Sequence, residues 1–354
     1  MITIALTYRN RDLRIVKNCL DSLKAQSLKE FKVILVDYGS AVQFSEGLAQ
    51  LVQEYSFITL IQCPVAGQLW NKSRAINIAL KQCDTPYFLV GDIDMLFRKD
   101  VVLKLQNLRS ASEITYFQVG FLSQEEAAVT KLFEEYKIKH LSSEEATGIT
   151  LYPTKLLLEI NGYDEFFHGW GAEDTDVHIR LLHKEVKVHF YATEVMLLHQ
   201  WHPKQYRSVK SKEPFHSYLE KINHQYVQKV SSTKKVMANT AFEWGKLPIQ
   251  ETSSNKNVVE ITITNQKSEV DAFIYGYLNA IQFEKVMLKI IPHKEFNSFK
   301  NNLKKVLNKK AVVCYDFEEL NNLLLLTLIS SYRNHQYVYE WDQELNTIRL
   351  NLYL

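Results

Sequence analysis

Short apolar runs alternate with amphipathic stretches along the first ninety residues. The runs Ile2 to Thr7, Phe31 to Val36, Phe57 to Gln62 and Tyr87 to Val90 have the length and continuity of buried strands. Between the first two runs, apolar residues recur at helical spacing from Leu13 to Leu23, and similar faces follow the later runs. Unbroken apolar strands that alternate with helices predict a parallel sheet covered on both faces.

The pattern changes after residue 148 but stays mixed. A short strand Ile149 to Tyr152 is followed by helices Thr154 to Ile160 and Asp174 to His183, and by strand candidates Val186 to Tyr191 and Val195 to Leu198. These elements extend the predicted α/β domain to about residue 205.

A second domain is predicted near the C-terminus. The polar segment Glu251 to Asn257 is typical of a linker, and the alternating strand Val258 to Thr264 follows it. We therefore predict a catalytic domain over residues 1–205, a helical or irregular extension with the linker over 206–255, and a small α/β domain of unknown role over 256–354. The sequence contains no internal repeat or low-complexity tract.

The charge balance excludes a general attraction to nucleic acid. The 354 residues carry 42 Lys+Arg against 40 Asp+Glu, a formal charge of +2. Four scattered cysteines form no C-x-x-C pair, which argues against a disulfide scaffold or a zinc ribbon and favours a reducing compartment. The expectation is a protein without nucleic-acid partners. The sequence does not indicate its oligomeric state.

From the sequence we expect neither a targeting segment nor a membrane-spanning segment. It starts with the strand-like run Met1 to Leu6 rather than a signal peptide, and its longest apolar segment, Leu320 to Ile329, is too short to span a bilayer. We expect a soluble, cytoplasmic protein, with peripheral contact at the inner face of the membrane left open.

Three polar clusters follow predicted strands. They are Thr7 to Arg11, Asp37 to Ser40 and Asp92 to Asp94. Because ligands of parallel sheets bind beyond the carboxyl ends of the strands, these clusters are expected to converge on one crevice. This convergence is the main reason to predict a single site.

The pair Asp92 and Asp94 is a candidate metal site. Hard divalent cations such as Mn²⁺ and Mg²⁺ take oxygen ligands, and His199, or less favourably His202, could complete the set. Each has an ordinary alternative: acidic pairs at loops are often solvated turn residues, and a histidine pair beside Trp201 is often structural.

Asp37 and several arginines are candidate nucleotide-binding residues. Asp37 could accept the N3–H of a uracil ring, although a turn or helix N-cap also explains an Asp at this position. Arg9, Arg11 and Arg74 could face a diphosphate or be solvated surface charges. Thr7 lies at the end of its strand, beside these groups.

The segment Gly169 to Asp176 holds the most informative acidic cluster. Acids at the start of a helix are favoured by the helix dipole, which explains one or two of them. It does not explain why Trp170 and two glycines precede them. His168, Trp170 and Gly171 could form a wall against a sugar ring, although an aromatic anchor that holds the turn also explains this pattern. We predict that at least one of Glu173, Asp174 and Asp176 has a functional role, because a carboxylate held at a helix start can act as a general base toward an incoming hydroxyl.

These motifs together resemble a known family. Residues 1 to about 205 resemble the GT-A fold glycosyltransferases of family 2, with a C-terminal half similar to the beta-1,4-galactosyltransferases and the polypeptide N-acetylgalactosaminyltransferases. The matching stretches are Val36-Asp37-Tyr38-Gly39-Ser40, Trp70-Asn71-Lys72-Ser73-Arg74, Asp92-Ile93-Asp94, Asn161 to Glu165, Gly169 to Asp174 and Met196-Leu197-Leu198-His199. Tyr38 departs from the second Asp of the family's uridine motif, and the resemblance stops near residue 205.

The resemblance implies a fold, a reaction and roles. The fold is a GT-A, Rossmann-like nucleotide-sugar-binding domain with a mostly parallel sheet. The reaction is metal-dependent, inverting transfer of a hexose or N-acetylhexosamine from a UDP-sugar to a glycan or glycolipid hydroxyl, as in polysaccharide or glycoconjugate synthesis. The implied roles are listed here: metal binding by Asp94 and His199, donor binding by Thr7, Arg9, Asp37, Asn71, Arg74 and Asp92, acceptor binding by Trp170, Gly171 and Glu173, and base catalysis by Asp174.

Other functions stay open. The N-acetylgalactosaminyltransferase resemblance allows a retaining enzyme, and the sequence is also compatible with a catalytically idle sugar-nucleotide or glycan-binding module. A nucleotidyltransferase would be expected to carry a glycine-rich N-terminal loop, which Leu6 to Arg14 lacks.

Overall fold

The structure is a computed structural model that describes residues 1–203, 213–248, 257–280 and 285–354. The chain divides into two compact units. The first comprises Met1–Pro64, Trp70–Lys204 and Leu219–Leu247, and the second comprises Val65–Leu69, Gln205–Tyr218 and Pro248–Leu354.

The first unit alternates strands and helices. Its strands are β1 (Ile2–Tyr8), β2 (Phe31–Tyr38), β3 (Ile58–Cys63), β4 (Tyr87–Asp92), β5 (Met95–Phe97), β6 (Glu113–Phe117), β7 (Gly120–Leu122), β8 (Ile138–Leu141), β9 (Thr150–Pro153), β10 (Lys187–Tyr191) and β11 (Leu197–His199). Its helices are α1 (Leu13–Lys24), α2 (Val42–Val52), α3 (Lys72–Lys81), α4 (Val101–Asn107), α5 (Gln124–Ala127), α6 (Thr154–Glu159), α7 (Glu173–His183) and α8 (Leu219–Ser232), with a 3-10 turn at Phe133–Glu135.

The main sheet of this unit is mixed and mostly parallel. Its seven strands follow the order β10-β6-β9-β4-β1-β2-β3. All neighbours are parallel except β9, which runs antiparallel to β4 and to β6. Every residue of β1 is buried, as expected for a central strand covered on both faces. The predicted fold class is confirmed.

A smaller sheet extends the same unit. Its four strands follow the order β5-β11-β7-β8, so β11 lies between β5 and β7. β5 begins directly after Asp94, and β11 ends at His199. The pairing of these two strands therefore brings the acidic loop after β4 next to His199 at the end of β11 and His202 just beyond it.

The second unit has a sheet of its own. Its four strands, in the order β12-β13-β15-β14, are β12 (Val258–Thr264), β13 (Lys285–Ile291), β14 (Gln336–Asp342) and β15 (Thr347–Tyr353). β12 and β13 are parallel, and the other pairs are antiparallel. Its helices are α9 (Lys267–Asp271), α10 (Leu278–Ala280), α11 (Phe299–Val306) and α12 (Phe317–Thr327), with π-helical segments at Ala272–Tyr277 and Leu328–Tyr332.

Each unit is assembled from segments that are separated in the sequence. The short segment Val65–Leu69 belongs to the second unit, where the backbone N–H of Tyr339 donates to the carbonyl of Gly67 and the backbone N–H of Leu69 donates to the Tyr337 hydroxyl. Leu219–Leu247 belongs to the first unit. The predicted linker Glu251 to Asn257 lies outside the described residues except for its last residue, and the division at residues 205 and 255 stays a prediction.

No helix in the described part of the chain combines the length and the apolar character needed to cross a bilayer. Most of the apolar segment Leu320 to Ile329 forms α12, which begins with a capping box between Asp316 and Glu319. Its residues Leu320, Leu324 and Leu325 are buried in the second unit.

Candidate active site

The strand ends that were predicted to converge are level in the sheet. In the β1–β4 register Thr7 lies opposite Asp92, and in the β1–β2 register Tyr8 lies opposite Asp37. The polar residues that end these three strands therefore occupy one edge of the sheet. In a parallel sheet this edge is the usual position of a ligand crevice.

Asp94 lies in a cluster of basic side chains. Its carboxylate is 3.1 Å from Nε2 of His202, 3.7 Å from Nε2 of His199 and 3.2 Å from the Arg11 guanidinium. The backbone N–H of Gln200 donates to the Asp94 carbonyl, which fixes the end of β11 against this loop. The two histidines are thereby held on the same carboxylate.

The cluster fits a divalent metal. Asp94, His199 and His202 each offer one ligand atom, and these atoms lie within 4.8 Å of one another. Asp94 Oδ1 is buried and has no hydrogen-bond partner among the described residues. One carboxylate and two imidazoles form a mixed oxygen and nitrogen donor set, which suits transition metals better than Mg²⁺.

The surroundings of Asp94 and His199 favour the protonation states in which these side chains bind metals. Burial acts to raise the pKa of Asp94, but His199, the hydrogen bond from His202 and the charge of Arg11 outweigh it and hold the pKa well below its usual range. Burial lowers the pKa of His199, despite the opposing charge of Asp94. A carboxylate and a neutral imidazole are the protonation states that bind metals.

Asp174 lies in a second cluster, in which one cation meets three carboxylates. Nζ of Lys72 is 3.1 Å from Asp92 Oδ1, 3.5 Å from Asp174 Oδ2 and 3.7 Å from Glu173 Oε1. Lys72 begins α3, whereas Glu173 and Asp174 begin α7. The lysine therefore links the first acid of the Asp92-x-Asp94 loop to the acidic start of α7.

The pKa of Asp174 is displaced upward. Burial raises it to about 7, Lys72 opposes the rise, and the negative charges of Glu173 and Asp92 add to it. The same three carboxylates outweigh burial at Lys72 and raise the pKa of its ammonium well above the ordinary value. Asp174 is therefore poised to take up a proton near neutral pH, beside a permanently charged lysine.

A strained turn presents these acids. Gly169 and Gly171 have positive φ angles of 71° and 101°, and Ala172, the N-cap of α7, has φ 70° and ψ −7°. The amide of Asn223 donates to the carbonyls of His168 and Trp170 and so holds the turn on α8. The left-handed backbone is easy for glycine and costs about 1–3 kcal/mol at an alanine.

Trp170 and His168 differ in exposure at this turn. The Trp170 side chain is 45% exposed, so an aromatic face remains for a ligand such as a sugar ring. His168 is buried, and its ring nitrogens contact the Asn71 amide and the Phe166 carbonyl. This geometry makes His168 an anchor of the turn.

Asp176, the third acid of the Gly169 to Asp176 segment, has a structural partner. Asp176 and Arg180 are both fully buried, and Arg180 Nε donates to Asp176 Oδ2 at 2.7 Å. The same guanidinium donates to the carbonyls of Ile160 and Gly162. Asp176 therefore ties α7 to the preceding turn and lies outside the set that faces Lys72.

Two predicted donor-binding residues lie in internal contacts. The Asn71 side chain caps α3 through the backbone N–H of Arg74 and donates to the Glu165 carbonyl. Arg74 is buried, and its Nε lies 3.0 Å from Glu165 Oε2. In this structure both side chains position the segment that ends at Glu165.

The remaining predicted donor residues line the strand ends. Asp37 is buried at the end of β2, where its carboxylate accepts hydrogen bonds from the Ser40 backbone and the Ser45 hydroxyl. Thr7 is buried in β1, and Arg9 directly follows that strand and is partly exposed. Their roles toward a nucleotide stay predictions.

Sequence reasoning missed Lys72. The residue lies inside the quoted Trp70 to Arg74 stretch, but no role was assigned to it. One signal was available: Lys72 is the first residue of a helix, where the helix dipole opposes a positive charge. An unfavourable cation at this position indicates acidic partners elsewhere in the fold.

Two family profiles match the part of the chain that carries these residues. The profile for glycosyl transferase family 2 matches residues 3–130, which contain Asp37, Lys72, Asp92 and Asp94. The profile described as the N-terminal domain of galactosyltransferase matches residues 127–202, which contain the start of α7 and both histidines. The two profiles adjoin near residue 127, so the predicted change of resemblance along the chain is confirmed.

Individual relatives match over part of the chain. A teichoic acid poly(glycerol phosphate) polymerase of Staphylococcus epidermidis is 32% identical over 97 residues, which are 26% of this chain and 12% of the polymerase. Chondroitin sulfate synthase 3 of Mus musculus is 26% identical over 184 residues, which are 48% of this chain and 20% of the synthase. The matches thus span at most about a fifth of these relatives. The crystal structure of S. aureus TarS aligns with a TM-score of 0.48 at 15% identity, over 68% of this chain and 40% of TarS.

Proposed function

Because the chain is a glycosyltransferase of family 2 type, we propose that it transfers a hexose or N-acetylhexosamine from a UDP-sugar to a glycan hydroxyl with inversion at the anomeric carbon. The observation that carries this proposal is Asp174, a buried carboxylate whose pKa is raised to about 7 beside Lys72. A base is most effective when its pKa lies near the working pH.

The reaction requires one proton acceptor on the acceptor side. Asp174 takes the proton of the acceptor hydroxyl as its oxygen forms a bond to the anomeric carbon. The bond from that carbon to the diphosphate breaks on the opposite face, and UDP leaves with the bonding electrons. Lys72 stabilises the ionised carboxylate before the proton arrives, since its Nζ lies 3.5 Å from Asp174 Oδ2.

Glu173 and Trp170 have the complementary role of holding the acceptor. Glu173 is adjacent to the base, and its Oε1 is farther from Lys72 than the oxygens of Asp92 and Asp174 are. Trp170 offers an exposed ring at the same turn. A carboxylate that accepts sugar hydroxyls and an aromatic face that covers a sugar ring suit a glycan or glycolipid acceptor.

Asp94, His199 and His202 would hold the divalent metal, and Mn²⁺ suits their mixed donor set better than Mg²⁺ does. When bound there, the ion supplies positive charge to the diphosphate of the donor. His202 contacts Asp94 at 3.1 Å, against 3.7 Å for His199, so we include it as a full member of the ligand set.

The same geometry weighs against an idle binding module. A module that only holds a sugar nucleotide has no need for a buried carboxylate with a raised pKa. Asp174 has one, and it lies with Asp92 on Lys72. A retaining enzyme remains the alternative that product stereochemistry decides.

The experiment has two stages. Thermal unfolding with a panel of UDP-sugars and MnCl₂ identifies the donor, because a ligand at 100 times its Kd stabilises by about 2.7 kcal/mol. NMR of the product formed from that donor and a set of glycan acceptors then gives the anomeric configuration. An inverted product supports the proposal. A retained configuration contradicts the role of Asp174, and binding without turnover across the acceptor panel contradicts the enzymatic assignment of the site.

A further inference from the structure

Helix α11 of the second unit presents its apolar side to solvent. Phe299 is 83% exposed and Val306 is 79% exposed. Leu303 and Leu307 are also exposed. The four residues are spaced i, i+4, i+7 and i+8, so they form one stripe along the helix and its last turn. A stripe of this kind normally packs against a core.

A polar residue holds the opposite side of α11. Asn301 is buried, its amide donates to the Val312 carbonyl, and its amide oxygen accepts from the Val312 backbone N–H. Ser298 caps the helix by accepting from the Asn301 backbone N–H. The helix is therefore fixed to the fold by its polar side, and its outward apolar stripe is a stable feature of the surface.

Lysines surround this stripe. From Phe299 to Val313 the sequence has five lysines and no acidic residue. The lysines are Lys300, Lys304, Lys305, Lys309 and Lys310. Lys304 pairs with Glu295 at 3.3 Å, and the other four are exposed. We call these five lysines and the four apolar residues of the stripe the α11 patch.

We propose that the α11 patch docks this protein on the surface of an anionic lipid bilayer. An amphipathic helix with an apolar face and flanking lysines lies in the plane of a membrane interface, where its apolar side chains enter the boundary of the acyl chains. The lysines are attracted to the negative lipid headgroups at the same time. Both halves of the patch thus find their preferred surroundings in one partner.

A second copy of this chain fits the patch less well. A symmetric contact between two copies places the same surface on itself, and would bring the five lysines of each copy together. That repulsion opposes the burial of Phe299 and Val306. A bilayer rich in anionic lipid supplies the opposite charge without this conflict.

The test uses the full chain and vesicles of stated composition. Sedimentation with vesicles of phosphatidylcholine and phosphatidylglycerol is expected to pull down the protein, whereas vesicles of phosphatidylcholine alone leave it in solution. Phe299→Ser and Val306→Ser are each expected to weaken binding about tenfold or more. Lys305→Gln with Lys309→Gln is expected to weaken it by about 25-fold, and added salt should act in the same direction.

Matched controls come from the same unit. Leu345 is 65% exposed outside the patch, and Lys289 is exposed on β13, so Leu345→Ser and Lys289→Gln should leave vesicle binding unchanged. Equal melting temperatures exclude misfolding. Failure to bind anionic vesicles at low salt overturns the proposal, as does equal binding by the patch and control variants. Loss of self-association in the patch variants, without any vesicle binding by the wild type, would assign the patch to a second copy. Vesicle binding needs no donor or acceptor, so its outcome is separate from that of the proposed reaction.

Discussion

Asp94 and Asp174 are both buried carboxylates of the first unit, but their pKa values move in opposite directions. The pKa of Asp94 lies well below its usual range, because His199, His202 and Arg11 outweigh the effect of burial. Burial raises the pKa of Asp174 to about 7, and Lys72 is the cation that three carboxylates share at this position. Burial alone acts in the same direction on both groups, so the difference comes from the neighbouring charges.

The roles proposed for these two acids need opposite properties. A metal ligand must stay ionised, which an excess of nearby basic groups ensures at Asp94. A general base must accept a proton in the transition state, which is easier for Asp174 because Glu173 and Asp92 compete for the same lysine. In the proposed mechanism, two acids of the same type thus receive different roles from their surroundings.

The largest effect is expected when Asp174 is neutralised. Asp174→Asn keeps the shape and removes the base, so kcat should fall by 10² to 10⁴-fold, about 3–5 kcal/mol, while the Kd for UDP with Mn²⁺ stays nearly unchanged. Steady-state kinetics and calorimetry measure the two quantities. Glu173→Gln is the control, and it should act mainly on the KM for the acceptor. A variant Asp174→Asn with more than about a tenth of the wild-type kcat would move the base to Glu173.

Neutralising Asp94 should act on the metal instead. Asp94→Asn is expected to weaken Mn²⁺ binding by about 10 to 100-fold or more, since changes even in the partners of metal ligands have effects of that size. Calorimetric titration of MnCl₂ gives the constant. Asp174→Asn serves as the matched control and should bind Mn²⁺ like the wild type. Equal Mn²⁺ affinities in Asp94→Asn and wild type would remove Asp94 from the metal site.

Replacing Lys72 should displace the pH profile of the reaction. In the wild type kcat should rise with pH through about 7, because the base must be ionised. Lys72→Met removes the charge that favours this ionised form, so the rise should move upward by about one unit, and kcat at pH 7 should fall about five- to sixfold. Measuring kcat across pH checks this. Recovery of kcat at higher pH marks an electrostatic role, whereas a uniform loss at every pH would indicate a role in structure or substrate binding.

The smallest expected effect has the opposite sign. Arg11 pairs with Asp94 at 3.2 Å and is partly exposed, so it competes with a cation for the same carboxylate. Arg11→Gln should tighten Mn²⁺ binding by up to about fivefold, the range expected for a partly solvated ion pair. Calorimetry on this variant beside Asp94→Asn shows whether the two changes move affinity in opposite directions. Weaker Mn²⁺ binding would mean that Arg11 supports the metal site.

The sequence predicted the elements that depend on local pattern. The run Ile2 to Thr7 became β1 with one more residue, and the helix expected from Asp174 became α7, starting at Glu173. The apolar period and the acids at a helix start are local signals, which explains the agreement. The loop of Asp92 and Asp94 was found for the same reason, since it directly follows a buried strand.

Contacts between distant segments were not predictable in this way. Lys72 and Asp174 are 102 positions apart, and no local pattern links them. Asp176 shows the same limit: its sequence neighbours suggest a site, but its partner Arg180 and the carbonyls that Arg180 binds make it structural. Helix α11 carries an ordinary amphipathic stripe, and only the tertiary structure shows that the stripe is exposed. Side-chain pairing across the fold decides these cases.

The left-handed turn at Ala172 has a consequence for engineering this chain. Glycine is the residue that this backbone prefers, so a search for heat-resistant variants would readily select Ala172→Gly and expect a gain of about 1 kcal/mol. The same change frees the backbone next to Glu173 and Asp174. Thermal unfolding and kcat measured together would show whether heat resistance and turnover are traded at this position. If they are, Ala172 lowers the stability of the protein but holds the carboxylates of Glu173 and Asp174 in a better position for turnover.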